Sequence, residues 1–253
     1  MESTTKPGYG NFGNLSKTYD EARKGMPQQV LDYLFADIDL AQPLMLLDVG
    51  CGTGIVTRQL AEYASTVIGT DTDEAMIQVA REHTVPAVTY VVTPTENLSH
   101  FRDNEFTLVT AFSAFHWFAN ATAVGEIKRV IKKGGKFFSA NRNTVGEFRE
   151  GYKATLQEFM NQPFPNAKKD FNPKSLLEDA GFIEITEKIF PIVEYMSVDE
   201  MLFYVQSTSP WNLVPAERKE DALTAMREYF KSKATSGRVE KRVEITTVQA
   251  IKP

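Results

Sequence analysis

Apolar positions recur along this chain in two alternating rhythms. Compact apolar runs over 45–49, 67–71, 88–92, 106–112 and 136–140, each bounded by Gly, Asp or other polar residues, predict strands. Between them, residues 55–63, 74–82 and 121–132 mix polar and apolar positions as amphipathic helices do, with Gly134-Gly135 as the stop after the last. Strand and helix in turn predict an α/β fold: a doubly wound, mostly parallel sheet with helices on both faces. Past Asn141 the rhythm loosens. Residues 148–160 and 175–180 read as helices, 162–172 as a loop bearing Pro and Lys, and 183–193 as a strand. Helices follow over 201–206 and 217–233, and the Val-, Ile- and Thr-rich 239–250 reads as a final strand.

One junction carries chemistry. In Leu46-Leu47-Asp48-Val49-Gly50-Cys51-Gly52-Thr53-Gly54 an apolar strand ends in an acid and breaks into glycines at alternate positions before a helix. Glycine takes positive φ without a Cβ penalty and lets a ligand approach bare backbone, so the turn is built to hold something. The dinucleotide fingerprint Gly-x-Gly-x-x-Gly places its last glycine one position later than Gly54, so this spacing departs from a pyrophosphate loop. About twenty residues on, Val67-Ile68-Gly69-Thr70-Asp71 ends in the acid that accepts hydrogen bonds from ribose hydroxyls in such folds. The pair predicts a nucleoside ligand and does not require a diphosphate.

Composition narrows the class. A chain of 253 residues, 42% hydrophobic, buries a full core as one domain. Its net charge of -5 argues against a nucleic-acid partner, which needs a basic face. Cys51 is the only cysteine, which excludes an intrachain disulfide, and the polar 2–10 segment has no secretory apolar region, so a cytoplasmic location is expected. No apolar run approaches the roughly 18 residues that span a bilayer, so no membrane partner is expected. No His, Cys or Asp cluster has metal-ligand spacing.

The glycine loop, Asp71 with the following Thr72-Asp73-Glu74-Ala75-Met76, Thr95-Glu96-Asn97-Leu98, the strand 106–110 with Phe112-Ser113-Ala114-Phe115-His116-Trp117-Phe118, Gly134-Gly135-Lys136-Phe137 and Leu176-Leu177-Glu178-Asp179-Ala180-Gly181-Phe182 occur in one order. That ordered set resembles the class I S-adenosylmethionine-dependent methyltransferases. Tyr19-Asp20-Glu21-Ala22-Arg23 and the His116-Trp117-Phe118 triplet are most similar to the small-molecule branch that includes trans-aconitate methyltransferases. The resemblance implies a Rossmann-like methyltransferase fold with a seven-stranded sheet and a small helical cap. It also implies one methyltransferase domain over 1–253, an N-terminal cover over 1–25 and a cap over 196–237 between the last two strands.

The implied cofactor is S-adenosylmethionine, leaving as S-adenosylhomocysteine. The implied cofactor residues are Asp48, Gly50, Gly52, Gly54, Asp71, Thr72, Met76, Thr95, Glu96 and Arg23. Asp48 lies near the methionine ammonium or orients the loop; Glu96 touches the cofactor or anchors its own loop. Relatives often carry an acid for the adenine amino group where this chain has Pro94, which offers no side-chain acceptor. Tyr19, His116, Trp117 and Trp211 are the expected acceptor pocket, with His116 either a hydrogen-bond donor, a base or a packed side chain. The expected reaction is in-line methyl transfer to a small-molecule acceptor, at oxygen. A macromolecular methyltransferase and a non-catalytic cofactor-binding homologue are the alternatives, and the oligomeric state is open.

Overall fold

A computed structural model describes residues 20, 23–164 and 171–253. The strands are β1 Met45–Val49, β2 Thr66–Asp71, β3 Val88–Val92, β4 Phe106–Phe112, β5 Ile131–Thr144, β6 Ile183–Ser197, β7 Ala234–Thr235 and β8 Arg238–Ile251. The α-helices are α1 Gln28–Phe35, α2 Ile55–Leu60, α3 Glu74–Glu82, α4 Ala121–Val130, α5 Glu147–Gln157, α6 Pro173–Asp179, α7 Val198–Gln206 and α8 Lys219–Lys233. The sheet order is β3-β2-β1-β4-β5-β8-β6, a path of seven strands, with the two-residue β7 paired to β8 off that path. Strands β3, β2, β1, β4 and β5 pair in parallel. Gly134 N–H donates to Lys252 O at 2.8 Å and Lys252 N–H to Gly135 O at 2.9 Å, so β8 returns antiparallel to β5.

The strand order reverses between β1 and β4. In an open α/β sheet that switch point opens a crevice at the carboxyl ends of the strands, where ligands bind. The glycine loop after β1 and the 113–118 segment after β4 both leave the sheet there.

The described chain divides into two compact units. The first, residues 24–141, 171–190 and 246–253, holds the parallel sheet. Its core includes Leu47, Val49, Phe106, Val109, Phe115, Ile127, Phe137 and Leu177. The second, residues 20, 23, 142–164 and 191–245, contains α5, α7 and α8. Its separate core includes Tyr152, Leu156, Met201, Val205, Trp211, Met226 and Phe230.

Several elements differ from the sequence pattern. The strand expected over 136–140 begins at Ile131 and runs to Thr144, so Gly134-Gly135 lies inside β5 and stops no helix. Gly135 is needed there for packing: a Cβ would stand 2.7 Å from Ile131 Cγ2 and 2.9 Å from Thr107 O. Strand β6 continues through Pro191 to Ser197, which the end of the sheet order permits because an edge strand tolerates a missing N–H. The helix expected from 201 starts at Val198, where Ser197 and Glu200 form a reciprocal capping box. Among the described residues no helix is long and apolar enough to cross a membrane.

Candidate active site

The three loop glycines all have positive φ, +68° at Gly50, +56° at Gly52 and +75° at Gly54, but they are required for different reasons. A Cβ on Gly50 would sit 2.5 Å from Ala114 Cβ, and one on Gly54 would sit 2.3 Å from the Tyr90 hydroxyl. Both positions are filled by the protein's own packing. At Gly52 the nearest atom within 4 Å is Met76 Cε, at 3.5 Å, an ordinary contact. Of the three, Gly52 alone directs its missing side chain into room. The turn is pinned by Cys51 N–H to Thr70 O at 2.9 Å and by Gly54 N–H to Cys51 O at 3.0 Å. Burial, reinforced by Asp71 and Asp48, pushes the Cys51 thiol well up, so it stays protonated.

Asp71 ties this loop to the end of β2. Its Oδ2 accepts from Gly52 N–H at 2.9 Å and its Oδ1 from Asp73 N–H at 3.0 Å. Each oxygen retains a lone pair, enough to accept from a further donor such as a hydroxyl. Burial raises its pKa, and backbone hydrogen bonds from Asp73, Gly52 and Thr72 oppose that rise. Asp73 in turn caps α3 through Ala75 N–H at 2.9 Å and Met76 N–H at 3.4 Å.

Asp48 is 1% exposed. Its two oxygens accept from Thr57 Oγ1 on α2 at 2.6 Å and from Thr110 Oγ1 on β4 at 2.9 Å. This carboxyl joins the strand before the loop to the helix after it and to the neighbouring strand, which is the loop-orienting role. Burial pushes its pKa from 3.8 up to about 7, against the lowering pull of the two hydroxyls. Thr57 and Thr110 gave no signal in the sequence, since their part depends on the β1–β4 register that sets Asp48 beside Thr110.

The remaining expected cofactor residues divide by location. Met76 and Thr95 are buried and Thr72 is exposed. Glu96 Oε1 accepts from Asn120 Nδ2 at 2.9 Å, and Asn120 caps α4, so Glu96 fastens its loop to a helix start. Pro94 is exposed. Tyr19 lies outside the described residues. Arg23 and Trp211 belong to the second unit: Arg23 Nη2 donates to Ser207 O at 3.1 Å, and Trp211, 4% exposed, is part of that unit's core.

His116 follows β4 in a 3-10 turn, Phe115–Trp117. Its Nδ1 lies 3.1 Å from Asn141 Oδ1 on β5. An amide oxygen only accepts, so Nδ1 carries the proton and Nε2 is the basic nitrogen. The Trp117 ring, 41% exposed, is tilted over the imidazole at 4.8 Å, and Phe171 meets it edge-on at 6.1 Å. Just before this turn, Ser113 holds φ +55° and donates its N–H to Ala140 O at 2.7 Å, which bends the chain off β4. Asn141 is a further residue that sequence reasoning missed; it lies on β5, which pairs with β4.

Comparison with known proteins agrees with this geometry. Residues 47–139 match the family described as "Methyltransferase domain". The chain is 31% identical to a ubiquinone biosynthesis O-methyltransferase of Xanthomonas oryzae over 56% of this chain and 67% of that protein. It is 27% identical to an uncharacterized methyltransferase of Schizosaccharomyces pombe over 85% of this chain and 84% of that one. In fold it is similar to a putative type II methyltransferase of Anaeromyxobacter dehalogenans (TM-score 0.64, 21% identity, 90% and 96% of the two chains). It is also similar to Haemonchus contortus phosphoethanolamine N-methyltransferase 2 in complex with S-adenosylmethionine (TM-score 0.57, 19% identity, 95% and 57%). With its glycine loop, the acid at the end of β2 and this sheet order, the chain belongs to the class I S-adenosylmethionine-dependent methyltransferases.

Proposed function

We propose that the acceptor is a small molecule methylated at oxygen, that His116 faces it, and that Asn141 holds His116 in orientation. The observation that carries this reading is the His116–Asn141 pair, which fixes a basic Nε2 past the carboxyl end of β4, beside β5, within the unit that bears the glycine loop. The O-methyltransferase among the relatives supports oxygen, and the resemblance of His116-Trp117-Phe118 to the trans-aconitate methyltransferases supports a small acceptor.

The loop fits S-adenosylmethionine: the room beyond Gly52 and the spare lone pairs of Asp71 suit a nucleoside laid along bare backbone. Gly52 and Asp71 would hold it, with Asp48 bracing the loop from behind. When bound, the cofactor supplies a methyl group already activated by its sulfonium. The chain's own share is then alignment and exclusion of water, worth roughly 7–11 kcal/mol in favourable systems. Nε2 of His116 takes the proton of an alcohol or phenol, whereas a carboxylate is already ionised and needs only a hydrogen bond. The Trp117 ring shields one side of the imidazole.

A panel of phenols, alcohols and organic acids, followed by release of S-adenosylhomocysteine, tests this reading. Expected are turnover on a small acceptor and, for a hydroxyl acceptor, a kcat loss of about 10²–10⁴ in His116→Ala. Asn141→Ala should lower kcat less and move the acid limb of the kcat profile. Turnover confined to protein or RNA acceptors overturns the proposal, and full activity in His116→Ala leaves that residue as packing.

A further inference from the structure

The second unit leaves one face of its sheet bare. At the end of the sheet order, β6 exposes Val193 (50%) and Tyr195 (57%), the most exposed large apolar side chains of that unit among the described residues. Beside it β8 carries Arg238, Glu240, Arg242 and Glu244 at every second position, while Val239, Lys241, Val243 and Ile245 between them are buried. The Tyr195 hydroxyl meets Glu240 Oε2 at 3.5 Å, so the apolar pair and the charged row share one face. Further along the same two strands Thr247 Oγ1 donates to Lys188 O at 3.0 Å, so they run antiparallel. Val193 therefore stands beside Arg242 as Tyr195 stands beside Glu240.

Uncovered apolar side chains on an edge strand invite another chain. Pro191 has no N–H to donate, which blunts the free edge against strand addition and leaves the face as the surface to be covered. The charges say by what. Their signs alternate along β8, positive, negative, positive, negative, and the same row read backwards is its own complement. Laid antiparallel on a second copy and centred on Lys241, Arg238 meets the partner's Glu244 and Glu240 meets the partner's Arg242. The same two-fold sets Val193 against the partner's Tyr195. Slipping the rows by two residues, or laying them parallel and level, brings like charges together, so the pattern selects one register. Arg242 Nε holds Glu240 Oε1 at 2.9 Å within the strand, and Arg238 Nη1 lies 3.8 Å from Glu200 Oε2; these are exposed pairs that cost little to rearrange.

We propose that the face formed by Val193, Tyr195 and the Arg238-to-Glu244 row is an interface with a second copy of this chain, a two-fold dimer in which the charged rows of two antiparallel β8 strands pair. A two-fold interface uses one patch on both copies, and this patch is complementary to itself. Two sheets packed face to face keep their strands within about 30° of each other, which holds so short a row in register.

Sedimentation equilibrium of the full chain is the test. Expected is a concentration-dependent dimer. Arg242→Glu and Glu240→Arg should each weaken it about a hundredfold, since each sets like charges together at two symmetric places. Mixing the two variants should restore a dimer, because one copy is then acidic at both 240 and 242 and the other basic at both. Tyr195→Lys should also weaken it. A chain that stays monomeric at about 100 μM leaves this face to a different protein and overturns the proposal. So does a dimer that survives both charge reversals, or a mixture of the two variants that stays monomeric. Thermal unfolding checks each variant, and should either charge reversal fail to fold, an undiminished dimer in Tyr195→Lys overturns the proposal instead.

Discussion

Asp48→Asn isolates one buried carboxyl whose cost can be worked from its surroundings. The group is 1% exposed, and burial holds its pKa near 7 in the folded chain against an ordinary 3.8. A raised folded pKa means that the native state binds the proton more tightly than the unfolded chain. The stabilisation is complete below about pH 3.8 and is lost as pH rises through about 7. The gap of about three units corresponds to roughly 4 kcal/mol, of which about 3 kcal/mol falls between pH 5 and pH 8. Asparagine keeps both neighbours, because its oxygen accepts from one threonine hydroxyl and its amide donates to the other. It has no proton to lose. Urea unfolding of wild type and Asp48→Asn, without cofactor, should therefore give stability curves that converge toward pH 5 and separate toward pH 8 in favour of the variant. Curves that stay parallel within about 0.5 kcal/mol over that range would show that Asp48 is not the buried, proton-holding group described above.

Asp71→Ala should weaken S-adenosylhomocysteine binding about tenfold or more, the size of a charge-assisted hydrogen bond; unchanged affinity by calorimetry removes Asp71 from the site. Gly54→Ala should destabilise the fold more than Gly52→Ala, since its Cβ meets the Tyr90 hydroxyl at 2.3 Å while Gly52 meets only Met76 Cε at 3.5 Å; equal losses in thermal unfolding count against this. Gly52→Val should abolish cofactor binding while leaving a folded chain, and retained affinity refutes the open direction assigned to Gly52. The cover expected over 1–25 and 196–237 should gain protection from hydrogen exchange when S-adenosylhomocysteine binds, and equal protection with and without it removes that role.

What was legible in the sequence was what local pattern fixes. Strands β1, β3 and β4 and helix α3 begin and end where their apolar rhythm does, β1 at the loop glycine and α3 at its Asp73 cap. Strand β5 was read short because Lys132, Lys133 and the two glycines hide its first residues. What brings them into the sheet is pairing with β8, more than a hundred residues away, as the Gly134–Lys252 bond shows. Strand β6, read as ending at 193, runs on to Ser197, where the capping box of the next helix ends it. At the site, Gly50, Gly52, Gly54 and Asp71 could be named from spacing alone. Asn141 and Thr110 could not, since one matters through His116 and the other through Asp48, and both pairings are products of strand register.

The division of labour among the loop glycines changes what such a motif can certify. Gly50 and Gly54 are demanded by Ala114 and Tyr90, which are parts of the scaffold itself. A descendant that had given up its cofactor would still have to keep both, or lose the turn. Only position 52 would be released, drifting to residues such as Asn or Asp that tolerate positive φ. A glycine-rich loop in a chain of this kind is thus a record of architecture at two positions and a mark of occupancy at one, and the middle residue is where retired enzymes should be told from working ones.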